Sequence, residues 1–91
     1  MTVPVEDAID LHSFLPGETA SVVEEYLAAA AARGFREVRI VHGRGIGAQR
    51  RTVRAVLARS PFVREYGDAP PGAGGWGATV VLLRRAGPPG E

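Results

Sequence analysis

The sequence predicts a two-layer α/β (α+β) domain of order β-α-β-α-β-β, with two helices packed against a four-stranded mixed sheet. Three observations point there. Short apolar or alternating segments read as strands, two longer segments repeat their apolar residues at helical spacing, and glycine or proline stands at almost every junction between them. With 91 residues, 45% of them apolar, the chain has the length of one domain and enough apolar material for a modest core.

Residues Ala8 to His12 form the first expected strand, closed by a turn at Leu15-Pro16-Gly17. From Glu18 the period changes. Val22, Val23, Tyr26, Leu27 and Ala30 fall on one helical face and Glu24 and Glu25 on the other, so an alanine-rich helix is expected to about Arg33, with Gly34 as its left-handed stop. Glu37 to His42 alternates polar and branched residues as a strand does. The turn Gly43-Arg44-Gly45-Ile46-Gly47 then opens a second helix, Ala48 to Arg59, burying Val53, Val56 and Leu57 and ending at Ser60-Pro61. Phe62 to Tyr66 reads as the third strand. Asp68 to Gly77 is a Pro/Gly loop carrying the single Trp76, and Ala78 to Arg84 reads as a fully buried fourth strand. This places the domain at residues 8–85, with a lead-in at 1–7 and a Gly/Pro-rich, frayed tail at 86–91.

Composition removes several function classes. No cysteine is present, which excludes disulfides, thiolate metal sites and a thiol nucleophile. No apolar run reaches the roughly 18–20 residues of a membrane span, and the first ten residues carry acids where a signal peptide carries bases. A cytoplasmic protein with no membrane partner is expected. The formal net charge of +1 conceals an asymmetry. Residues 38–64 hold seven arginines and no acid, residues 1–37 seven acids and two arginines, and residues 65–91 three acids and two arginines. The middle is a basic island, readable either as an anion-binding surface or as a solvated helix face.

The chemistry gathers at the strand ends. A strand running through three closely spaced glycines into a helix offers unpaired backbone N–H groups and the positive end of the helix dipole, a geometry suited to phosphate. Arg44 lies within that turn, Arg51 and Arg54 project from the helix away from its apolar face, and Arg50 lies near the boundary, so the arginines can track neighbouring phosphates of a nucleic-acid backbone. The turn is not a P-loop, because it ends Gly47-Ala48-Gln49 without lysine, nor a dinucleotide fingerprint, because only Ile46 separates Gly45 from Gly47. A plain tight strand-to-helix connection explains the same glycines. Asp10 and His12 share a face of the first strand, and if the first two strands are parallel, His42 arrives at the same carboxyl edge. An imidazole beside a phosphate acts as general acid or base, with Asp10 to orient it; each histidine alone also fits a hydrogen-bonded structural role. His12, His42 and Asp10 lack the close spacing of a metal motif. Trp76 either stacks on an unpaired base or folds back over the core.

Asp10-Leu11-His12, His42-Gly43-Arg44-Gly45 and Gly74-Gly75-Trp76-Gly77-Ala78-Thr79-Val80 together resemble the small MutS-related (Smr) domain family in its stand-alone form. The first two match its Leu-Asp-x-His and His/Thr-Gly-x-Gly signatures in order and spacing, with Ile9 for the usual leucine and Ser13 where many members have glycine. The resemblance covers about residues 8–85. It implies a fold like the C-terminal domain of bacterial translation initiation factor three, nucleic-acid binding, and in several members an endonuclease activity on DNA or RNA. The motif positions it matches are Asp10, His12 and His42 to Gly45; joined to the reading of the residues above, this gives Asp10, His12 and His42 as the candidate catalytic residues and Gly43, Arg44, Gly45, Gly47, Arg50, Arg51, Arg54, Gly75 and Trp76 as the candidate binding surface. Partners are then DNA or RNA, with a repair complex or the ribosome alongside. No cofactor is fixed by the residues, and dependence of cleavage on a divalent metal, Mg or Mn, is left open. A non-catalytic binding module is the alternative.

Overall fold

The computed structural model describes residues 6–43 and 47–84. Strand β1 (Ala8–Asp10) leads through two 3-10 turns, Leu11–Ser13 and Pro16–Glu18, into helix α1 (Thr19–Ala32). Strand β2 (Glu37–Val41), helix α2 (Ala48–Arg59), strand β3 (Val63–Asp68), two further 3-10 turns (Pro71–Ala73, Gly75–Gly77) and strand β4 (Ala78–Leu83) complete the order. The sheet runs β1-β2-β4-β3. β1 and β2 are parallel, as a helical crossover requires, and β4 is antiparallel to both its neighbours.

One face of the sheet carries both helices. Ile9, Val38, Ile40, Val81 and Leu83 meet Val22, Val23, Tyr26 and Leu27 of α1 and Val53, Val56 and Leu57 of α2 in one core. Each fully buried Val or Leu contributes roughly 1.5–3 kcal/mol of transfer free energy. The helices keep the faces expected of them: Glu24 and Glu25 are exposed, and Gly34 takes φ +82° just past the end of α1. Among the described residues, no α-helix lies over the opposite, open face of the sheet. Val80 and Leu82 are therefore only half-buried, and the expectation that β4 is buried throughout fails at these two positions.

Two strands, β1 and β3, differ most from the sequence expectation, for local reasons, while β2 and β4 each end one residue early. β1 stops at Asp10, two residues early, because the Asp10 carboxylate accepts the His12 N–H and winds Leu11–Ser13 into a 3-10 turn. β3 starts one residue late and continues through Gly67 and Asp68, held by pairing to Val80 and Thr79 of β4, with a bulge between Val63 and Glu65. Glycine and aspartate are poor strand formers, and the ladder overrides that preference. No helix is long and apolar enough to cross a membrane among the described residues. The frayed tail and most of the lead-in expected from the sequence lie outside those residues.

Candidate nucleic-acid interface

The carboxyl ends of β1 and β2 meet at one rim. Asp10 pairs with Val41 across the parallel ladder, so the next residues of each strand, Leu11-His12 and His42-Gly43, leave the sheet side by side. Leu11 is fully buried and anchors the turn, while Asp10 and His12 stay outside. Asp10 Oδ1 accepts both the His12 backbone N–H at 2.9 Å and the His12 Nδ1–H at 2.6 Å. The His12 amide bond first, and then its ring bond, hold the Asp10 carboxyl below the usual carboxylate range. A carboxylate only accepts, so Nδ1 bears the proton and Nε2 is left as the basic nitrogen. The ring edge lies over Gly43: a Cβ there would stand 3.0 Å from His12 Nε2 and 3.3 Å from Cε1. With φ +81°, Gly43 combines a left-handed turn with close approach of that imidazole.

His42 is only 4% exposed. Its Nδ1 donates to the Gly43 carbonyl at 2.9 Å and its Nε2 accepts from Thr79 Oγ1 at 2.9 Å. Burial, reinforced by the nearby Arg50 and Arg54 charges, pushes its pKa below the usual histidine value despite the opposing bond to Gly43. The ring is neutral, with both nitrogens occupied, and it fixes the exit of β2 into the glycine turn. The strand expectation brought both histidines to this edge; the structure gives them unlike surroundings.

The third motif closes over the same turn. The Gly77 carbonyl accepts the His42 and Gly43 backbone N–H groups at 3.1 and 2.9 Å. Gly74 and Gly75 both take positive φ, and a Cβ on Gly74 would stand 2.9 Å from that of Ala78, so this tight descent into β4 requires glycine. It sets Trp76 against Gly47, whose Cβ would lie 3.3 Å from the indole. Gly47, at φ +82°, is the N-cap of α2, and no side chain caps that first turn. Trp76 stays 42% exposed, with the Arg50 guanidinium 4.7 Å from its ring centroid.

Along α2 the arginines are not equivalent. Arg50 and Arg54 both donate to Asp68 Oδ1 at the end of β3, at 2.7 and 2.5 Å, and Arg54 also lies 5.4 Å from the Tyr66 ring centroid. The Arg50 bond heads the causes that hold the Asp68 carboxyl below its usual range. Arg51 is exposed and forms no ion pair among the described residues. Arg44 and Gly45, both expected to touch the ligand, lie outside the described residues; Gly75 sits beside Trp76 in the last 3-10 turn. No cluster of three or more metal-ligating side chains occurs among the described residues. Asp68 and Thr79 were missed by sequence reasoning. Thr79 had a signal, as the one polar residue in Ala78-Thr79-Val80-Val81-Leu82-Leu83, whereas Asp68 looked like an ordinary loop acid.

Comparison with known proteins agrees with this arrangement. The family model described as Smr domain matches residues 9–84. Endonuclease MutS2 of Thermus thermophilus is 42% identical over 76 residues, covering 84% of this chain and 10% of that protein. Endonuclease MutS2 of Fusobacterium nucleatum is 38% identical over 81 residues, again 10% of its length. The chain thus spans about a tenth of the curated relatives it matches. Among solved structures, the Smr domain of Thermus thermophilus MutS2 superposes with TM-score 0.81 at 40% identity, covering 87% of this chain and 99% of that one. YdaL, a stand-alone small MutS-related protein from Escherichia coli, gives 0.75 at 30% identity, covering 92% and 69%.

Proposed function

We propose, from the premise that this chain belongs to the Smr domain family, that it grips the phosphate backbone of DNA or RNA at the β1–β2 rim and nicks a phosphodiester there. One observation carries the reading: Asp10 holds the His12 ring at 2.6 Å, with its basic Nε2 directed over Gly43 at the mouth of the glycine turn. The relatives named as endonucleases support it, although that name belongs to proteins some ten times longer than the matched segment. It is a cytoplasmic activity in this reading.

The step is a hydrolysis. A water oxygen attacks phosphorus as its proton passes to His12 Nε2, the bond from phosphorus to the leaving oxygen breaks, and that oxygen takes a proton from solvent. Asp10 orients the ring through its bond to Nδ1. Amides at the start of α2, with Gly47, Arg50, Arg51 and Arg54, hold the flanking phosphates and offset the charge that develops on phosphorus. His42 acts as a positioning residue, fixing Gly43 through its carbonyl. Arg44, Gly45, Gly75 and Trp76 complete the binding surface.

The second reading, a non-catalytic module delivering nucleic acid to a repair complex or the ribosome, has its own observation. Trp76 and Arg50 form an exposed stacking surface that holds a base whether or not a bond is cut. A supercoiled plasmid and a fluorescent hairpin, incubated with pure protein with and without EDTA, separate the two and test for Mg or Mn dependence. Nicking by wild type that disappears in His12→Ala and Asp10→Asn, with binding retained, supports the nuclease. An intact plasmid and hairpin under every condition, with binding present, leaves the module.

A further inference from the structure

The open face of the sheet has a groove at its β1 edge. It encloses about 520 Å³, within the roughly 300–1,000 Å³ of small-molecule sites. Val41 and the half-buried Phe14 give it apolar walls, Glu6, Ser13 and Arg39 bring polar groups, and Asp10 lies at one end. The groove therefore runs directly into the Asp10–His12 pair. Tyr26 fixes its outer wall by donating its hydroxyl to the Glu6 carbonyl, which leaves the Glu6 carboxylate uncommitted to that bond.

Charge and shape decide what fits. Two carboxylates, Glu6 and Asp10, against the single guanidinium of Arg39 make the groove a poor phosphate site. A neutral, flat group with apolar faces and a polar edge suits it. Arg39 lines the groove and gives one terminal nitrogen, Nη1, to the Ala73 carbonyl at 3.3 Å, while its other terminal nitrogen forms no hydrogen bond among the described residues. A guanidinium lining a groove with donors to spare suits an acceptor brought by a ligand.

We propose that this groove receives one extruded nucleobase, guanine by preference, next to the phosphodiester held at His12 and Gly43. The proposal rests on the nucleic-acid reading above and names the substrate: a strand with an unpaired guanine. Guanine presents O6 and N7 acceptors, the pair that arginine reads, and N1–H and N2–H donors that the Glu6 carboxylate accepts. Adenine places a donor where Arg39 needs an acceptor. Extrusion costs least for a base that is already unpaired, so bulged or single-stranded sites are favoured over duplex.

The test uses the full chain and hairpins with one bulged nucleotide, carrying G, A, C, T or an abasic residue, beside a fully paired hairpin, read by fluorescence anisotropy. Wild type is expected to bind bulged G roughly tenfold more tightly than abasic, the discrimination of one well-formed base contact. Arg39→Gln and Glu6→Gln are expected to erase that difference while binding the paired hairpin as wild type does. Two variants guard against misfolding of either, and matching thermal melts show that each is folded. Equal affinity for bulged G and abasic overturns the proposal, and so does equal affinity for all four bases, or a preference that survives in both variants. Failure of wild type to bind even the paired hairpin sinks the underlying nucleic-acid reading instead.

Discussion

His12 and His42 show how two identical side chains at one rim acquire different work. His12 is 64% exposed and leaves Nε2 open, whereas both nitrogens of His42 are bonded inside the protein. Loss of a general base costs about 10²–10⁴ in rate, so His12→Ala is expected to reduce nicking by that factor with its Kd for hairpin within about twofold of wild type. Gly43→Ala is expected to come close to it by another route, since the new Cβ meets His12 Nε2 at 3.0 Å on a backbone at φ +81°. Single-turnover rates and anisotropy on the same preparations check both. His42 instead governs stability. Its folded pKa is depressed, so above about pH 6.5 both folded and unfolded forms are neutral and it contributes no pH dependence. Below that pH the unfolded chain takes up a proton that the folded chain resists, and stability falls with a slope approaching 1.4 kcal/mol per pH unit, until the folded group also protonates. Asp10 and Asp68 also have lowered values and act in the same sense, but in a lower window, losing their contribution only as pH falls below about 4. Urea midpoints are thus expected to fall between pH 7 and 5 in wild type and to stay nearly flat in His42→Gln.

Helix α2 is where charge legible in the sequence and charge available in space part company. Asp68 binds Arg50 and Arg54 from 18 and 14 residues away, so two arginines of the basic island are neutralised by a carboxylate that no local pattern ties to them. Replacing it, Asp68→Asn, frees both guanidinium groups and removes a negative charge from the binding surface. Affinity for nucleic acid is expected to rise about three- to tenfold, or about 0.7–1.4 kcal/mol, with a steeper salt dependence; unchanged affinity would show that these arginines never meet a phosphate. The helices themselves were readable because one apolar stripe per element sufficed: Val22 to Ala30 and Val53 to Leu57 face the core as their spacing requires. Strand ends were not. β1 is cut short by a side-chain bond from Asp10, and β3 is lengthened by pairing with Thr79 and Val80, interactions that depend on a turn and a partner the sequence does not display. The pairing of Asp10 with His12 was legible, though it arises from a 3-10 turn and not from the alternation of a strand. Burial of His42 against Thr79 was illegible, because only the β2–β4 ladder brings residues 42 and 79 together.

The sheet divides the protein's charge between its two ends, and this decides how binding should respond to salt. Asp10, His12, Gly43, Gly47, Arg50, Asp68 and Trp76 collect where β1, β2 and β3 finish, while Arg36, Arg64 and Arg84 surround a separate cavity where β2 and β3 begin. Arg64 belongs to the same basic island as Arg51 in the sequence, yet β3 carries it to the far end. Release of condensed counterions makes log K fall with log [salt] by about 0.9 for each duplex phosphate contacted. If the ligand is held only at the rim, Arg51→Glu combined with Arg54→Glu is expected to weaken duplex binding and flatten that slope by nearly 2. Arg36→Glu combined with Arg64→Glu changes the formal charge by the same amount but is expected to leave the slope within about 0.3, since those groups meet no phosphate. The two double variants have equal net charge, so a long-range field of the protein as a body would affect them alike. Equal losses in both would therefore refute a localised grip and return the arginines to general attraction, whereas a loss confined to the α2 pair fixes the backbone at the end of the sheet where His12 stands.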